Sequence, residues 1–260
     1  MPWDNMSSLI QMIARQARAT FKAMPVADSG AFHDDLSKLR NLLEKIRADD
    51  LNLGTRRSDG PPPLGPHQGP PVTYMHICET ECFSMGIFLL QSGACIPLHD
   101  HPGMHGLLKV LYGNVAIKCF DKEEEEEAEE EAELAAGAAS VQFNPPLLQC
   151  QRASLRRSLV RSSDVLSEAN GPCLLTPLQG NMHQIHASDG PAAFLDILAP
   201  PYDPDQGRDC HYYKVLQVSE SADKASPGPP QRQQEVWLLE VPQPADFWCG
   251  GEPYPGPKVS

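Results

Sequence analysis

The spacing of hydrophobic positions changes once along the chain, near residue 72. Before that point apolar residues recur at helical intervals. Leu9, Ile13, Ala17 and Phe21 stand four apart, which lines them along one face of a helix within residues 5 to 24. A second helix is predicted from Asp34 to Ala48, where Leu36, Leu39, Leu43 and Ile46 keep the same rhythm and Asp34 can serve as N-cap. Residues 54–71, which include PPPLGPHQGPP, resist regular structure and read as a linker laid over the surface.

After the linker the segments become short, β-prone and separated by turns. VTYMHI, FSMGIFLL, LLKVLYG and NVAIKCF come first, and Tyr112-Gly113-Asn114 between the last two predicts a tight hairpin. An irregular stretch is expected to about Asn170. Strands then resume with CLLTP, HQIHA, AAFLDILAP, YYKVLQV and EVWLLE. Many short strands without βαβ alternation predict a mainly β domain, a sandwich or closed barrel, preceded by two helices. The expected organisation is therefore a helical region over 1–53, a linker over 54–71 and a β-domain over 72–260, interrupted by an acidic insertion over 121–140.

Charge changes this picture little. The formal net charge is -13, but nine glutamates lie between Glu123 and Glu133, and without them the balance is -4. A mildly acidic body with no basic stripe argues against nucleic acid as a partner. The glutamate run reads as a solvated insertion. No apolar run approaches the roughly 20 residues that span a bilayer, so no membrane partner is expected. Eight cysteines spaced singly, without a CxxC pair, suggest a reducing compartment, and a cytoplasmic location is expected, with the nucleus also open. Arg15, Arg18 and Lys22 on the first helix would also suit a mitochondrial presequence, though a helix packed on a domain is the ordinary reading.

The candidate chemistry lies in PLHDHPGMHG. His99 and His101 are two residues apart, and on a strand such residues share a face, so two imidazoles could hold one cation with a third ligand from elsewhere. Around them Gly93, His99, His101 and Gly113 fit the first motif of the cupin superfamily. Gly171, Pro177, Gly180 and His183 fit the second, with one extra residue before Gly180. The chain thus resembles a cupin, a double-stranded β-helix or jelly-roll barrel. The family's usual glutamate ligand would fall at His105 or Gly106, where no carboxylate stands. Within the superfamily this absence is similar to the thiol dioxygenases, as are the segments FLDILAPPYDP and DCHYY.

The resemblance implies one Fe(II) per chain on His99, His101 and His183, with O2 as co-substrate. It also implies a small aminothiol such as cysteamine, or proteins with an exposed N-terminal cysteine, as the substrate, and a monomer as the working unit. Oxidation of protein N-termini would make the chain an oxygen sensor feeding degradation. Three neutral imidazoles leave the ion its full charge, which favours an anionic thiolate. From Ser58 to Gln151 there is no arginine to clamp a free carboxylate, so free cysteine should be a poor substrate.

Four further residues are candidates. Asp196 interrupts an apolar run, where an unpaired carboxylate is costly, so it should meet a substrate ammonium, a ligating histidine or a salt-bridge partner at the rim. Tyr202 could line the cavity mouth. Cys210 and Tyr212 stand two apart, so on a strand their sulfur and ring could touch, and related thiol dioxygenases carry a Cys-Tyr thioether near the iron. His105 is expected behind the ligands or on the surface, and His33, His67 and His76 are expected to be ordinary. Two other readings stay open: a non-catalytic metal-binding cupin acting as an interaction protein, and a 2-oxoacid-dependent oxygenase. The latter is disfavoured because Asp100 should point away from the face shared by His99 and His101.

Overall fold

The structure is a computed structural model describing residues 7–22, 30–54, 69–122, 142–152, 154–218 and 234–260. The core of the linker and the glutamate run lie outside the described residues. Helix α1, Leu9–Lys22, buries Ile10, Ile13, Ala17 and Phe21, the face its periodicity predicts. Helix α2 spans Gly30–Leu43 and buries Leu36, Leu39 and Leu43. Asp34 therefore sits inside the helix and does not cap it. A 3₁₀ turn at Ala48–Leu51 follows.

The β-domain is built from β1 (Val72–Glu79), β2 (Ser84–Leu90), β3 (Cys95–His99), β4 (His105–Lys122), β5 (Phe143–Asn144), β6 (Leu155–Ser167), β7 (Cys173–Leu175), β8 (Met182–Ala199), β9 (Tyr212–Val218), β10 (Glu235–Val241) and β11 (Cys249–Gly251). Pairing runs β8-β3-β9-β10-β6-β4, and β4 pairs back to β8, so these strands close a ring. Strands β11, β1 and β2 extend from β8 on one side, and β7 lies beside β4. The mainly β barrel with two N-terminal helices is as expected.

Two expectations are corrected. The predicted hairpin at Tyr112-Gly113-Asn114 is a kink inside one 18-residue strand: residues 105–112 pair with 193–199 of β8, and 114–120 pair with 182–188. Gly113 permits it, with φ +72 and the Pro191 carbonyl where a Cβ would stand. A bulge of this kind lets one strand turn the barrel corner and serve both sheets. The same argument merges HQIHA and AAFLDILAP into β8. The second correction is β6, which occupies the stretch expected to be irregular. Its side chains are mostly polar and half-exposed, and its place is fixed by ladders to β4 and β10 on either side.

The sheet β1-β2-β8-β4 separates two apolar clusters. Its outer face sends Met85, Ile87, Leu107, Leu195 and Ile197 against α1, α2 and the 3₁₀ turn. Its inner face sends Leu108, Val110, Ile117, Ile185 and Phe194 into the barrel. The C-terminus fastens the helices to this arrangement, since the Gln11 amide donates to the Ser260 carbonyl at 3.0 Å and accepts from the Ser260 N–H at 2.9 Å.

Candidate metal centre

Strand β3 ends on His99, His101 follows in the turn to β4, and His183 is the second residue of β8, directly opposite His99 in the ladder. Only His99 is on the strand. The turn nonetheless swings His101 toward the same cavity. The candidate ligand atoms of the three histidines all lie within 4.8 Å of one another, and the residues are only 9%, 2% and 6% exposed. Nδ1 of His99 donates to the Pro97 carbonyl and Nδ1 of His101 to the Asn181 carbonyl, each at 2.8 Å. A carbonyl only accepts, so those Nδ1 atoms carry the protons and both Nε2 lone pairs are left for a metal. Burial, then His99, pushes His101 down to about 3; burial likewise lowers His99 and His183. Uncharged imidazole is the form that binds a metal. The donor set thus fits a divalent cation, with no carboxylate ligand in it.

The cavity in front of the histidines has a volume of about 350 Å³. Phe88, Ile96 and Phe194 form an apolar wall, with the Phe88 and Phe194 rings stacked at 5.2 Å. All four other candidates face the same space: Asp196, Tyr202, Cys210 and Tyr212. Asp196 reaches it by strand parity, because it shares a face of β8 with Phe194 and Leu198 while Leu195 and Ile197 face the helices. It has no ion-pair partner among the described residues, and burial pushes its carboxyl up to about 7. Tyr202 packs its ring 5.7 Å from that of His101 and donates its hydroxyl to the Asp100 carbonyl at 2.7 Å. Cys210 precedes β9 and Tyr212 begins it, with the thiol in hydrogen-bonding contact with both Tyr202 and Tyr212; burial raises the thiol to about 11. Among the described residues, no arginine or lysine lines the cavity.

Sequence reasoning missed the support behind this site. Asp100, 2% exposed, points away from the ligand group. Its carboxylate accepts from the His211 N–H at 2.9 Å, from His211 Nδ1 at 3.1 Å and from the Tyr213 hydroxyl at 3.0 Å. It thereby ties the turn carrying His99 and His101 to the start of β9. Asn181 does the same from the other side: its Nδ2 donates to the His101 carbonyl and its Oδ1 accepts the His101 N–H. The available signal was the pair of polar residues flanking the motif histidines. His105, by contrast, turns outward to the helices, with its ring 5.5 Å from Phe32 and 6.4 Å from Phe21.

A closed β-barrel holding three buried histidines at one end of its cavity defines a metal-binding cupin. Comparison with known proteins narrows this further. The PCO_ADO family model matches residues 42–259, and the chain belongs to that family. It is 55% identical to the 2-aminoethanethiol dioxygenase of Mus musculus and 53% identical to that of Homo sapiens, over 100% of this chain and 99% of each relative. It is 29% identical to plant cysteine oxidase 1 of Arabidopsis thaliana, over 87% of this chain and 72% of the relative.

Proposed function

We propose that the chain is an iron-dependent thiol dioxygenase that converts cysteamine to hypotaurine and the N-terminal cysteine of proteins to the sulfinate. The observation that carries this reading is the all-histidine group facing a cavity where, among the described residues, Asp196 is the one carboxylate, has no ion-pair partner and meets no cationic side chain in the wall. His99, His101 and His183 would hold one Fe(II), which when bound would supply the redox chemistry that joins a thiolate to dioxygen. A thiol going to a sulfinate releases as many electrons as full reduction of O2 consumes, so neither a reductant nor a 2-oxoacid is required.

The chain's own residues perform the remaining tasks. Asp196 pairs with the substrate ammonium, which holds the amine end while the sulfur faces the histidines. Tyr202, Cys210 and Tyr212 form a polar part of the cavity wall. The Phe88–Phe194 stack and Ile96 exclude water from the reacting sulfur. Free cysteine would bring its carboxylate toward Asp196 with no guanidinium to receive it, which disfavours that substrate. Every described residue that lines the cavity lies within 72–260, the span proposed as one catalytic domain, and a monomer is the working unit proposed. The relative named plant cysteine oxidase 1 supports a cysteinyl thiol as the group oxidised; acting on protein N-termini, the chain would serve as an oxygen sensor through degradation of the oxidised protein. No described helix is long and apolar enough to cross a membrane.

The test is metal content together with product formation. Iron should copurify in about equimolar amount, O2 uptake should require a thiol and no 2-oxoacid, and labelled dioxygen should place both atoms on sulfur. Thiol-independent or absent oxygen uptake by the iron-loaded protein would return the chain to a binding role.

A further inference from the structure

Three bonds that place His101 come from one residue, Asn181. Its carbonyl accepts the Nδ1 proton at 2.8 Å, its Oδ1 accepts the backbone N–H at 3.2 Å, and its Nδ2 donates to the backbone carbonyl. His183 stands two residues further on, so the turn over 176–181 frames two of the three histidines. Inside this turn the Thr176 hydroxyl accepts the N–H groups of Leu178 at 3.3 Å and Gln179 at 2.9 Å. Gly180 follows in the left-handed region, with φ +62, and its N–H leaves the turn. It donates to Oδ1 of Asp121 at 2.6 Å.

Composition groups Asp121 with the acidic run that follows it, but the residue lies on β4, next to Phe120, which pairs with Met182 of β8. Its second oxygen accepts from Nη1 of Arg161 at 2.8 Å, and Nη2 of the same guanidinium donates to the Gln179 side chain at 3.1 Å. Arg161 owes its direction to a bulge. Cys119 pairs with Ser162 and Phe120 with Val160, so the β4–β6 ladder skips Arg161. Bulges re-aim side chains in this way and recur beside active sites. The Ser158 hydroxyl adds a bond to the Asp121 carbonyl at 2.6 Å. The Asp121 side chain is 14% exposed and that of Arg161 38%, so the ion pair itself is screened and weak. The directed bond from Gly180 to a carboxylate is the stronger element, and it fixes geometry.

Resting on the assignment of His99, His101 and His183 as ligands, we propose that Asp121 is a positioning residue of the metal centre. It holds the Gly180 N–H so that the Asn181 carbonyl stays against Nδ1 of His101 and His183 stays in reach, while Arg161 orients the carboxylate. Asp121 touches neither metal nor substrate. Without it the Gly180 N–H turns to water, the turn gains freedom, and the carbonyl that fixes the His101 tautomer drifts. Removing a partner directly behind a ligand costs roughly 10- to 100-fold in metal affinity. Asp121 acts one residue further back, so the low end, about ten-fold, is expected.

The test titrates Co(II) into the full metal-free chain and reads Kd by competition with a chelator, together with the visible ligand-field absorption of the bound ion. Thermal denaturation of each metal-free variant sets a temperature at which it is fully folded. There Asp121→Ala should raise Kd about ten-fold and shift the absorption bands. Asp121→Asn keeps an oxygen for the Gly180 N–H and should cost only about two- to three-fold. Arg161→Ala leaves that bond in place and should cost about as little. An unchanged Kd in folded Asp121→Ala overturns the proposal, and so does an equal loss in Asp121→Ala and Asp121→Asn. Should Asp121→Ala fail to fold, the milder double variant of Asp121→Asn with Arg161→Ala carries the test: about a five-fold rise in Kd supports the proposal and an unchanged Kd overturns it. His183→Ala separates the two readings. Co(II) retained at the wild-type Kd in that variant overturns the ligand assignment, whereas loss of Co(II) there beside an unchanged Kd in Asp121→Ala overturns the role of Asp121 alone.

Discussion

Strand β8 shows two faces to two environments. Leu195, Ile197 and Ala199 enter the sealed cluster beneath the helices, while Phe194, Asp196 and Leu198 on alternate positions enter the barrel or its cavity. The first face contains only hydrocarbon, and its work is to hold the fold. The second carries a carboxylate that burial disfavours, beside histidines that burial keeps neutral, and it is the face on which the proposed chemistry falls. One strand therefore divides stability from function by parity alone, and substitutions on alternate positions should separate the two.

The widest separation is expected at the histidines. His183→Ala should remove the bound metal and lower turnover by about 10³-fold or more, because no other described group is placed to complete the set. The thermal midpoint of the metal-free protein should change little, and metal analysis beside calorimetry checks both. Bound metal at the wild-type level would break the ligand assignment. On the opposite face, Ile197→Ala removes a fully buried side chain from the helix contact and should cost about 2–5 kcal/mol of stability. Below the unfolding range its kcat should stay near wild type. A large loss of kcat at full folding would show that the helix face also governs the chemistry.

Asp196→Asn is the intermediate case, with effects of opposite sign on the two properties. The amide keeps the shape and loses the charge, so kcat/KM for cysteamine should fall about ten-fold while the metal remains. Stability should rise. The carboxyl sits at about 7 in the fold, above its ordinary value of 3.8. The native state therefore holds a proton that the unfolded state releases as pH climbs from about 4 to 7, and the wild type loses stability across that window. The substitution should raise the melting temperature by about 2–4 °C for each kcal/mol relieved at pH 8, and by little at pH 4. An equal gain at both pH values would point to packing as the cause.

The sequence shows this division only in part. The histidines were legible because motif spacing is local: His99 and His101 stand two residues apart, and His183 follows a glycine–proline signature. Asp196 stood out as a charge within an apolar run. The hydrophobic period also located the helices and most strands. What it could not supply was pairing. Gly113 reads as a hairpin turn until β8 is known to run alongside both halves of β4, and β6 looks irregular because its ladders, and not its own side chains, hold it in place. The bonds from Asp100 to His211 and Tyr213 join residues more than a hundred positions apart, and neither partner carries a local signal.

The smallest expected effect concerns Cys210 and Tyr212, which meet in the cavity wall although only Tyr212 lies on a strand. Burial holds the thiol up at about 11, so at neutral pH Cys210 remains protonated and does not compete with a substrate thiolate for the metal. Its position against the phenol instead favours a one-time thioether, in which sulfur bonds to a ring carbon and two electrons and two protons pass to dioxygen. The link would fix the phenol at the cavity wall and spare the ordering of a free side chain with each turnover. The expected signs are an intact mass lower by two hydrogens, a crosslinked peptide spanning the pair, and a fraction that grows with turnover. Tyr212→Phe should then reduce activity only a few-fold, because the ring's position and not its acidity is what the site uses. Protein that keeps the free thiol after many turnovers, together with an unchanged rate in Tyr212→Phe, would leave Cys210 as a buried thiol beside a packed ring and confine the chemical face of the barrel to the histidines and Asp196.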